Sequence, residues 1–411
     1  MDDPQLIPHL FRTEYRKIVS VLCTYFGWEG VENAEDIASD TFLTAAQTWG
    51  LNAIPPNPSA WLYSVAKNKA KNFLQRDRVF RDKIVKEWQA GDPAFAEVAE
   101  VDLSPQNIAD SQLRMMFAIC HASIPVEAQV GLSLRILCGF GIEEIADAFL
   151  TTKDVINKRL YRAKESLRGT GERLYRAEAA PGSGDERLPA VLTTIYLLFN
   201  EGYYSISQDQ PLRKELCLEA IRLCTMLIEY KPTDQPAVNA LMALMCFHAS
   251  RFDARLSGEG GIILYEEQDA SAWNTDLISK GVHFLHRAAT GDRLSKYHLE
   301  AGIAYWNTQQ ADTPEKWAHI LQLYNQLLQV AYSPIAALNR TYALSKVQGK
   351  QTAIVQAEKL ELTDNQFYFA LLGELYAGID DDAARCHLRK AWELAKSSKD
   401  KQALQKRMEK L

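Results

Sequence analysis

Apolar residues recur every three or four positions through most of the chain, which is the spacing of amphipathic α-helices. Within residues 153–168, four apolar residues share one narrow arc of the predicted helix: Ile156, Leu160, Ala163 and Leu167. Thr151 and Thr152 precede this run, and either hydroxyl can accept the N–H groups of a first helical turn. Residues 142–149 predict a shorter helix, in which the small Ala146 allows a close crossing. The pattern predicts two helices joined by a tight turn.

Residues 58–88 predict a longer helix with one polar, basic side, and Ser59 after Pro58 is a suitable N-cap. Its apolar stripe consists of Leu62, Val65, Ala66 and Phe73. Upstream, residues 33–49 predict an amphipathic helix whose exposed face carries acidic residues. Between the two basic segments, residues 89–110 hold five acidic residues and no Lys or Arg, together with Gly and Pro. This composition predicts a linker.

The second half of the chain begins after a Gly-, Pro- and Ser-rich boundary at residues 179–189. A weak repeat of 34 residues pairs Leu338 with Leu372, Tyr342 with Tyr376, Ile354 with Leu388, Ala357 with Ala391 and Leu360 with Leu394. That period belongs to tetratricopeptide helix pairs, which stack into a solenoid whose concave face binds a peptide or another protein. The alternative is a purely structural helical array.

Composition supports a helical protein that does not enter membranes. The chain has 411 residues, enough for two or three domains, and 47% of them are hydrophobic. We expect an all-α fold, with no signal peptide or membrane span. Seven Cys without CxxC spacing indicate a reducing cytoplasm as the expected location. The net charge of −6 divides equally at Glu178, so positive charge is local and DNA binding by the protein alone should be weak.

The candidate DNA-binding residues lie on the basic sides of the two predicted helices. Amide and guanidinium groups read base edges, while Lys and Arg also neutralise phosphates, so the helix pair reads as a helix-turn-helix. Its candidate DNA-binding residues are Thr152, Lys153, Asn157, Lys158, Arg159 and Arg162. In the upstream helix, an aromatic residue with amides and cations suits an unstacked strand. The candidates there are Trp61, Asn68, Lys69, Asn72, Arg76 and Arg78. A solvated basic face is the plainer alternative for both.

At this point the order of segments resembles a sigma factor of the sigma-70 family, of the extracytoplasmic-function (ECF) type. The resemblance is carried by AEDxxxDTFL at residues 34–43, by WLxxxAxNxAxNxLxR at residues 61–76, and by residues 141–164. Two positions depart from the family pattern: Asn72 stands where many relatives carry Asp, and Ser39 where Gln is usual.

The chain also resembles one subgroup with a C-terminal tetratricopeptide-like helical extension, through residues 110–124, 188–205 and 264–274. The resemblance implies sigma region 2 at 1–88, an acidic linker at 89–110, a region-4 helix-turn-helix domain at 111–178, a linker at 179–189 and a tetratricopeptide-like regulatory domain at 190–411.

In such proteins, region 2 binds the clamp helices of the β′ subunit of core RNA polymerase and opens the −10 element. Region 4 reads the −35 element and contacts the β flap. The polymerase-binding residues implied here are Glu35, Asp36, Asp40 and Phe42. The implied role of the linker is to run near the RNA path. The protein would perform no covalent chemistry and need no cofactor.

Several alternatives stay open. The C-terminal domain could mask the sigma domains through an intramolecular contact, or it could assist initiation. Two other classes of function are also open: the chain could be a polymerase-independent helix-turn-helix regulator, or a repeat scaffold with a vestigial sigma half. His283 and His286 have a spacing that can hold a metal on a helix, but no HExxH motif or paired Cys accompanies them. No metal site is therefore predicted, and no P-loop or nucleophile motif indicates an enzyme.

Overall fold

The computed structural model describes residues 6–49, 54–88, 101–149, 151–170, 186–203, 213–255, 268–395 and 398–411, without the side chains of 12, 77–88 and 399. Every regular element in these ranges is helical, as the all-α expectation requires. The chain divides into two compact units, Met1–Leu197 and Leu198–Leu411.

The first unit is built around a buried helix. Its helices are α1 (Leu6–Phe26), α2 (Val31–Trp49), α3 (Pro58–Trp88), α4 (Pro105–Ile119), α5 (Val126–Leu132), α6 (Ile142–Ala148), α7 (Lys153–Gly169) and the start of α8 (Leu188–Tyr203). A π-helical turn, Ser133–Leu137, follows α5. Helix α1 packs against α2, α3 and α4, and it buries Tyr15, Ile18 and Leu22 completely.

Helix α4 begins inside the segment predicted as a linker. Ser104 is its N-cap, with the hydroxyl accepting from the Asn107 N–H, and Pro105 occupies the first turn. Pro suits that position because its missing N–H would have no helical partner there. Residues 105–110 are therefore helical, while residues 89–100 of the predicted linker lie outside the described ranges.

The start of α8 is part of the first unit, although the predicted regulatory domain begins at residue 190. The Thr194 hydroxyl donates to Oε1 of Gln129 at 3.1 Å, and the Cys120 thiol donates to Thr194 Oγ1 at 3.4 Å. Nε2 of Gln129 in turn donates to the His121 and Ile124 carbonyls at 3.1 Å each. This buried network joins the turn after α4 to α8 by side chains far apart in sequence.

The second unit contains the rest of α8, ten further α-helices and a short 3-10 helix, Ala270–Ala272, in the described ranges. The ten α-helices are α9 (Lys214–Glu229), α10 (Pro236–Ala249), α11 (Thr275–Ala288), α12 (Lys296–Thr308), α13 (Pro314–Val330), α14 (Pro334–Gln348), α15 (Lys350–Glu358), α16 (Gln366–Tyr376), α17 (Asp381–Leu394) and α18 (Ser398–Glu409). The predicted repeat falls on successive pairs, α14–α15 and α16–α17. Leu338 and Leu372 are both buried, as are Ala357 and Ala391. Equivalent burial supports the repeat, and the tetratricopeptide assignment stays a prediction.

Gly373 allows the close approach of α16 to α17. A Cβ at this position would lie 2.6 Å from Cγ of the buried Leu388 and 3.3 Å from the Ala384 carbonyl oxygen. We expect Gly373→Ala to lower the free energy of unfolding by about 1–3 kcal/mol, because overpacking outweighs the better helix propensity of Ala. Urea denaturation measures this change. Gly169→Ala is the control, since nothing lies within 4 Å of its added Cβ. An unchanged midpoint for Gly373→Ala would contradict the close packing.

Candidate nucleic-acid interface

Helix α7 has the buried stripe that its sequence predicts. Ile156 and Leu167 are completely buried, and Leu160 and Ala163 are nearly so. Thr152 is the N-cap, with its hydroxyl accepting from the Val155 N–H at 3.4 Å. The helix packs against α5 and α6. One side of α7 is therefore fixed in the core, and its opposite side is presented to solvent.

The exposed side of α7 carries most of the predicted DNA-binding residues. Thr152, Lys153, Asn157, Lys158 and Arg162 are exposed, whereas Arg159 is half-buried. The Arg159 guanidinium lies 5.4 Å from the centre of the Phe149 ring. Nζ of Lys153 lies 2.7 Å from Oε1 of Glu143 on α6, and this contact lowers the pKa of the Glu143 carboxyl. Amide, ammonium and guanidinium groups thus share one accessible surface.

Helix α6 is held close to α7 by small buried residues. Its first turn is closed by Oε2 of Glu144, which accepts from the Gly141 N–H at 2.7 Å. Ala146 and Ala148 are buried, as expected for a close crossing. Residue 150 in the turn between the helices lies outside the described ranges.

Helix α3 presents a second polar surface. Asn68, Asn72 and Arg76 are exposed and belong to one side of the helix, which also carries Lys71 and Gln75. The side chain of Arg78, another predicted contact, lies outside the described residues.

Two predicted contacts on α3 already have partners within the first unit. Trp61 is half-buried, and its ring packs edge-on against Trp49 with the centroids 5.3 Å apart. The Trp61 ring is thus part of the α2–α3 contact in this structure, and its role as a DNA contact stays a prediction. Lys69 forms an ion pair with Asp40 of α2, which joins a predicted DNA contact to a predicted polymerase contact.

The predicted polymerase-binding residues of α2 lie on different sides of that helix. Asp36 and Asp40 are exposed, but Phe42 is only 4% exposed and packs against Phe11 with ring centroids 5.0 Å apart. The prediction that Phe42 belongs to a docking surface is therefore corrected. The next residue, Leu43, is 55% exposed on the side of the helix that carries Asp36 and Asp40. Leu43 thus shares the helical phase of the two exposed acidic residues.

Glu35 is held between two cations from distant parts of the first unit. Its Oε1 lies 2.7 Å from Nε of Arg135 in the π-helical turn, and its Oε2 lies 2.7 Å from Nζ of Lys164 on α7. Burial raises the pKa of the Glu35 carboxyl, but the attraction of Lys164 and Arg135 outweighs it, and the net pKa is lowered. Glu35 is therefore charged and turned inward, which corrects its predicted place on an open docking face.

Further ion pairs between α2 and α7 lie next to Glu35, closer to solvent. Arg168 of α7 forms an ion pair with Glu32 and donates from Nε to the Trp28 carbonyl at 3.1 Å. Nζ of Lys164 also lies 3.9 Å from Oε1 of Glu32. We call Glu32, Glu35, Arg135, Lys164 and Arg168 the ionic latch. Arg135, Lys164 and Arg168 are not among the predicted site residues, because no local pattern distinguishes an inward cation from a solvated one.

Within the described ranges, no group of three His, Cys, Asp or Glu side chains is arranged to hold a metal ion. None of the described helices is both long and apolar enough to cross a membrane.

Comparison with known proteins finds similarity in both units. The family described as Sigma-70 region 2 matches residues 10–79, which cover most of α1, all of α2 and the exposed surface of α3. An uncharacterized protein of Rhizobium meliloti, R00370, is 30% identical over 382 residues, or 92% of this chain and 88% of that protein. The chain belongs to the same family as this protein, and its first unit carries a match to Sigma-70 region 2.

Two curated sigma factors are similar to parts of this chain. The ECF RNA polymerase sigma-E factor of Haemophilus influenzae is 29% identical over 110 residues, covering 26% of this chain and 58% of that protein. The RNA polymerase sigma-H factor of Pseudomonas aeruginosa is 29% identical over 145 residues, covering 33% and 72%. Residues 187–289 match a family of unknown function, DUF6596. No solved structure matches the chain.

Proposed function

We propose that this chain is a sigma factor, which binds core RNA polymerase and directs it to a particular set of promoters. The observation that carries the proposal is the region-2 match over residues 10–79, since it falls on the helices that present Asn68, Asn72 and Arg76 together. Amides reach base edges and cations follow the phosphate backbone, so this side of α3 suits the melted −10 strand.

Helix α7 is proposed to read the −35 element, with α6 as the first helix of a helix-turn-helix. In that motif the second helix enters the major groove and its N-terminal residues contact base edges. The exposed Asn157, Lys158 and Arg162 support this assignment, because amide and guanidinium groups pair with purine edges. Lys153 and Thr152 lie at the start of the same helix, where they would contact the DNA backbone.

The polymerase would supply most of the affinity for DNA. A net charge of −6 opposes tight autonomous binding, because non-specific affinity grows with the number of phosphates that a protein neutralises. The exposed Asp36 and Asp40 of α2 would dock on the β′ clamp helices, and the domain around α7 on the β flap. This balance favours a sigma factor over a polymerase-independent regulator.

Run-off transcription from the DNA upstream of the protein's own coding region tests the proposal, with core polymerase alone and with core plus the full chain. We expect specific initiation only with the protein present. Asn68→Ala and Arg162→Ala should each lower it by about tenfold, since each removes one base or phosphate contact worth about 1–3 kcal/mol. Gln106→Ala is the control, because Gln106 is an exposed amide on α4.

Three outcomes separate the alternatives. Absence of binding to core, with no initiation, would reject the sigma assignment and favour the repeat scaffold. Tight operator binding without polymerase would favour the autonomous regulator. Initiation that is insensitive to both substitutions would contradict the assigned surfaces.

For the second unit, we propose a regulatory role, either masking or assistance. Deletion of residues 214–411 distinguishes the two, because masking predicts more promoter activity and assistance predicts less. The deletion keeps α8 whole, since residues 188–197 belong to the first unit.

A further inference from the structure

Helix α7 exposes an apolar side chain among the charged residues of its outer side. Val155 is 43% exposed, although the next residue, Ile156, is completely buried. Val155 precedes Lys158 by three positions and Arg162 by seven, which places all three on one side of the helix. Single exposed apolar residues are common on protein surfaces, and the position of Val155 on α7 is what distinguishes it from them.

The rotation of α7 about its own axis is fixed, so Val155 is held outward. Ile156 and Leu167 are completely buried, and Lys164 faces inward as part of the ionic latch. Thr152 fixes where the helix begins, since its hydroxyl accepts from the Val155 N–H at 3.4 Å. Val155 therefore lies in the first helical turn. A β-branched side chain has few rotamers in a helix, so the methyl groups of Val155 have a defined position.

The first turn of α7 corresponds to the part of a helix-turn-helix that contacts bases. In this motif the first residues of the second helix reach base edges in the major groove. Those edges present hydrogen-bonding groups from all four bases, but thymine alone adds an apolar group, its C5-methyl. Lys158 and Arg162 are exposed beside Val155 and suit the phosphates and purine edges around such a methyl group. An apolar side chain flanked by cations thus complements a thymine in the groove.

We propose that Val155 contacts the C5-methyl group of a thymine in the promoter element that α7 reads. The proposal rests on the proposed function and deepens it, because it names one base of that element. The element contains an A·T pair whose thymine faces the first turn of α7. Cytosine at this place leaves Val155 without an apolar partner, and a purine places its N7 acceptor against an apolar side chain that cannot donate a hydrogen bond.

Deoxyuridine tests this contact, because it lacks the methyl group but keeps the base pairing and the O4 acceptor of thymine. The template is the promoter found by the run-off experiment above, and each thymine of its −35 region, on either strand, is replaced in turn. Core polymerase and the full chain are used below saturation of the template. We expect one replacement to lower initiation by about fourfold, the effect of burying one methyl group on an equilibrium constant. The other replacements should have little effect.

Three variants assign the methyl contact to a residue. Val155→Ala should initiate on the thymine template about as weakly as the wild type does on the deoxyuridine template, and it should not distinguish the two. Val155→Ile keeps a branched apolar side chain and should keep the about fourfold response. Leu197→Ala is the matched control, because Leu197 is 38% exposed on α8, and it should behave like the wild type. Urea denaturation checks that each variant is folded.

Tyr161 is the competing candidate, since it is 60% exposed on the same helix. If Val155→Ala keeps the response to deoxyuridine, the proposal is overturned, and loss of the response in Tyr161→Ala would assign the contact to Tyr161. Specific initiation without a response at any thymine would also overturn it, as would a −35 region without thymine, and both results leave the proposed function standing. Absence of core binding and of initiation would reject the proposed function, and the thymine contact with it.

Discussion

Replacing Glu35 with Ala should lower the free energy of unfolding of the first unit by about 3–5 kcal/mol. The substitution leaves Arg135 and Lys164 close together in buried surroundings, without the carboxylate that lies 2.7 Å from each. Most of the loss comes from the stranded charges, which keep their desolvation cost after the attraction has gone. Urea denaturation at pH 7 measures the change.

Glu143→Ala is the control for this experiment. Its carboxylate also lies 2.7 Å from a Lys nitrogen, but both side chains are well exposed, and solvent screens the interaction. We expect its midpoint to stay close to that of the wild type. A loss in Glu35→Ala no larger than in this control would contradict the buried position of Glu35.

The Glu35 carboxyl also makes the free energy of unfolding depend on pH, and the direction of the change can be predicted. The folded-state pKa of Glu35 lies below its ordinary value of 4.5, although burial alone would raise it, because Lys164 and Arg135 favour the charged form. Its contribution to stability is therefore complete above that ordinary pKa, which applies to the unfolded chain, and is lost as the pH falls through the folded-state pKa. Glu35→Gln should remove this part of the stability loss below about pH 4.5.

Local periodicity predicted the helices of the first unit well. The stripe of α7 and its Thr152 cap are confirmed, because residues three and four apart on a helix decide both. The predicted helix over 33–49 is likewise present as α2. These features depend on neighbouring residues only, and one sequence contains all the information that they need.

Long-range contacts could not be predicted in this way. The partner of Glu35, Arg135, is 100 residues away, and that of Thr194, Gln129, is 65 residues away. The composition of residues 179–189 indicated a linker, but it could not reveal that α8 starts by completing the first unit. An acidic residue looks equally solvated in a sequence whether it faces water or a buried cation.

Phe42 and Leu43 are neighbours on α2, but one side chain is buried and the other is exposed. Truncating each to Ala should therefore affect a different property. Phe42 is 4% exposed and packs against Phe11, so its loss leaves a cavity and should cost about 3–5 kcal/mol of unfolding free energy. Leu43 is 55% exposed, so Leu43→Ala should change that free energy by less than about 0.5 kcal/mol.

Binding to core polymerase should be weakened more by Leu43→Ala than by Phe42→Ala. The two variants are compared at equal concentrations of folded protein. Leu43 follows Asp36 and Asp40 at helical spacing, so an apolar side chain lies beside two exposed carboxylates. Burying a leucine side chain is worth about 1.5–3 kcal/mol, and its loss from a contact should weaken core binding by about tenfold. Competition for core against the wild-type chain, with urea denaturation in parallel, measures both quantities. If Leu43→Ala competes as well as the wild type, the docking surface does not include this side of α2. If Phe42→Ala is as stable as the wild type, the inward orientation of Phe42 is wrong. The side of α2 that faces solvent would then have to be reassigned.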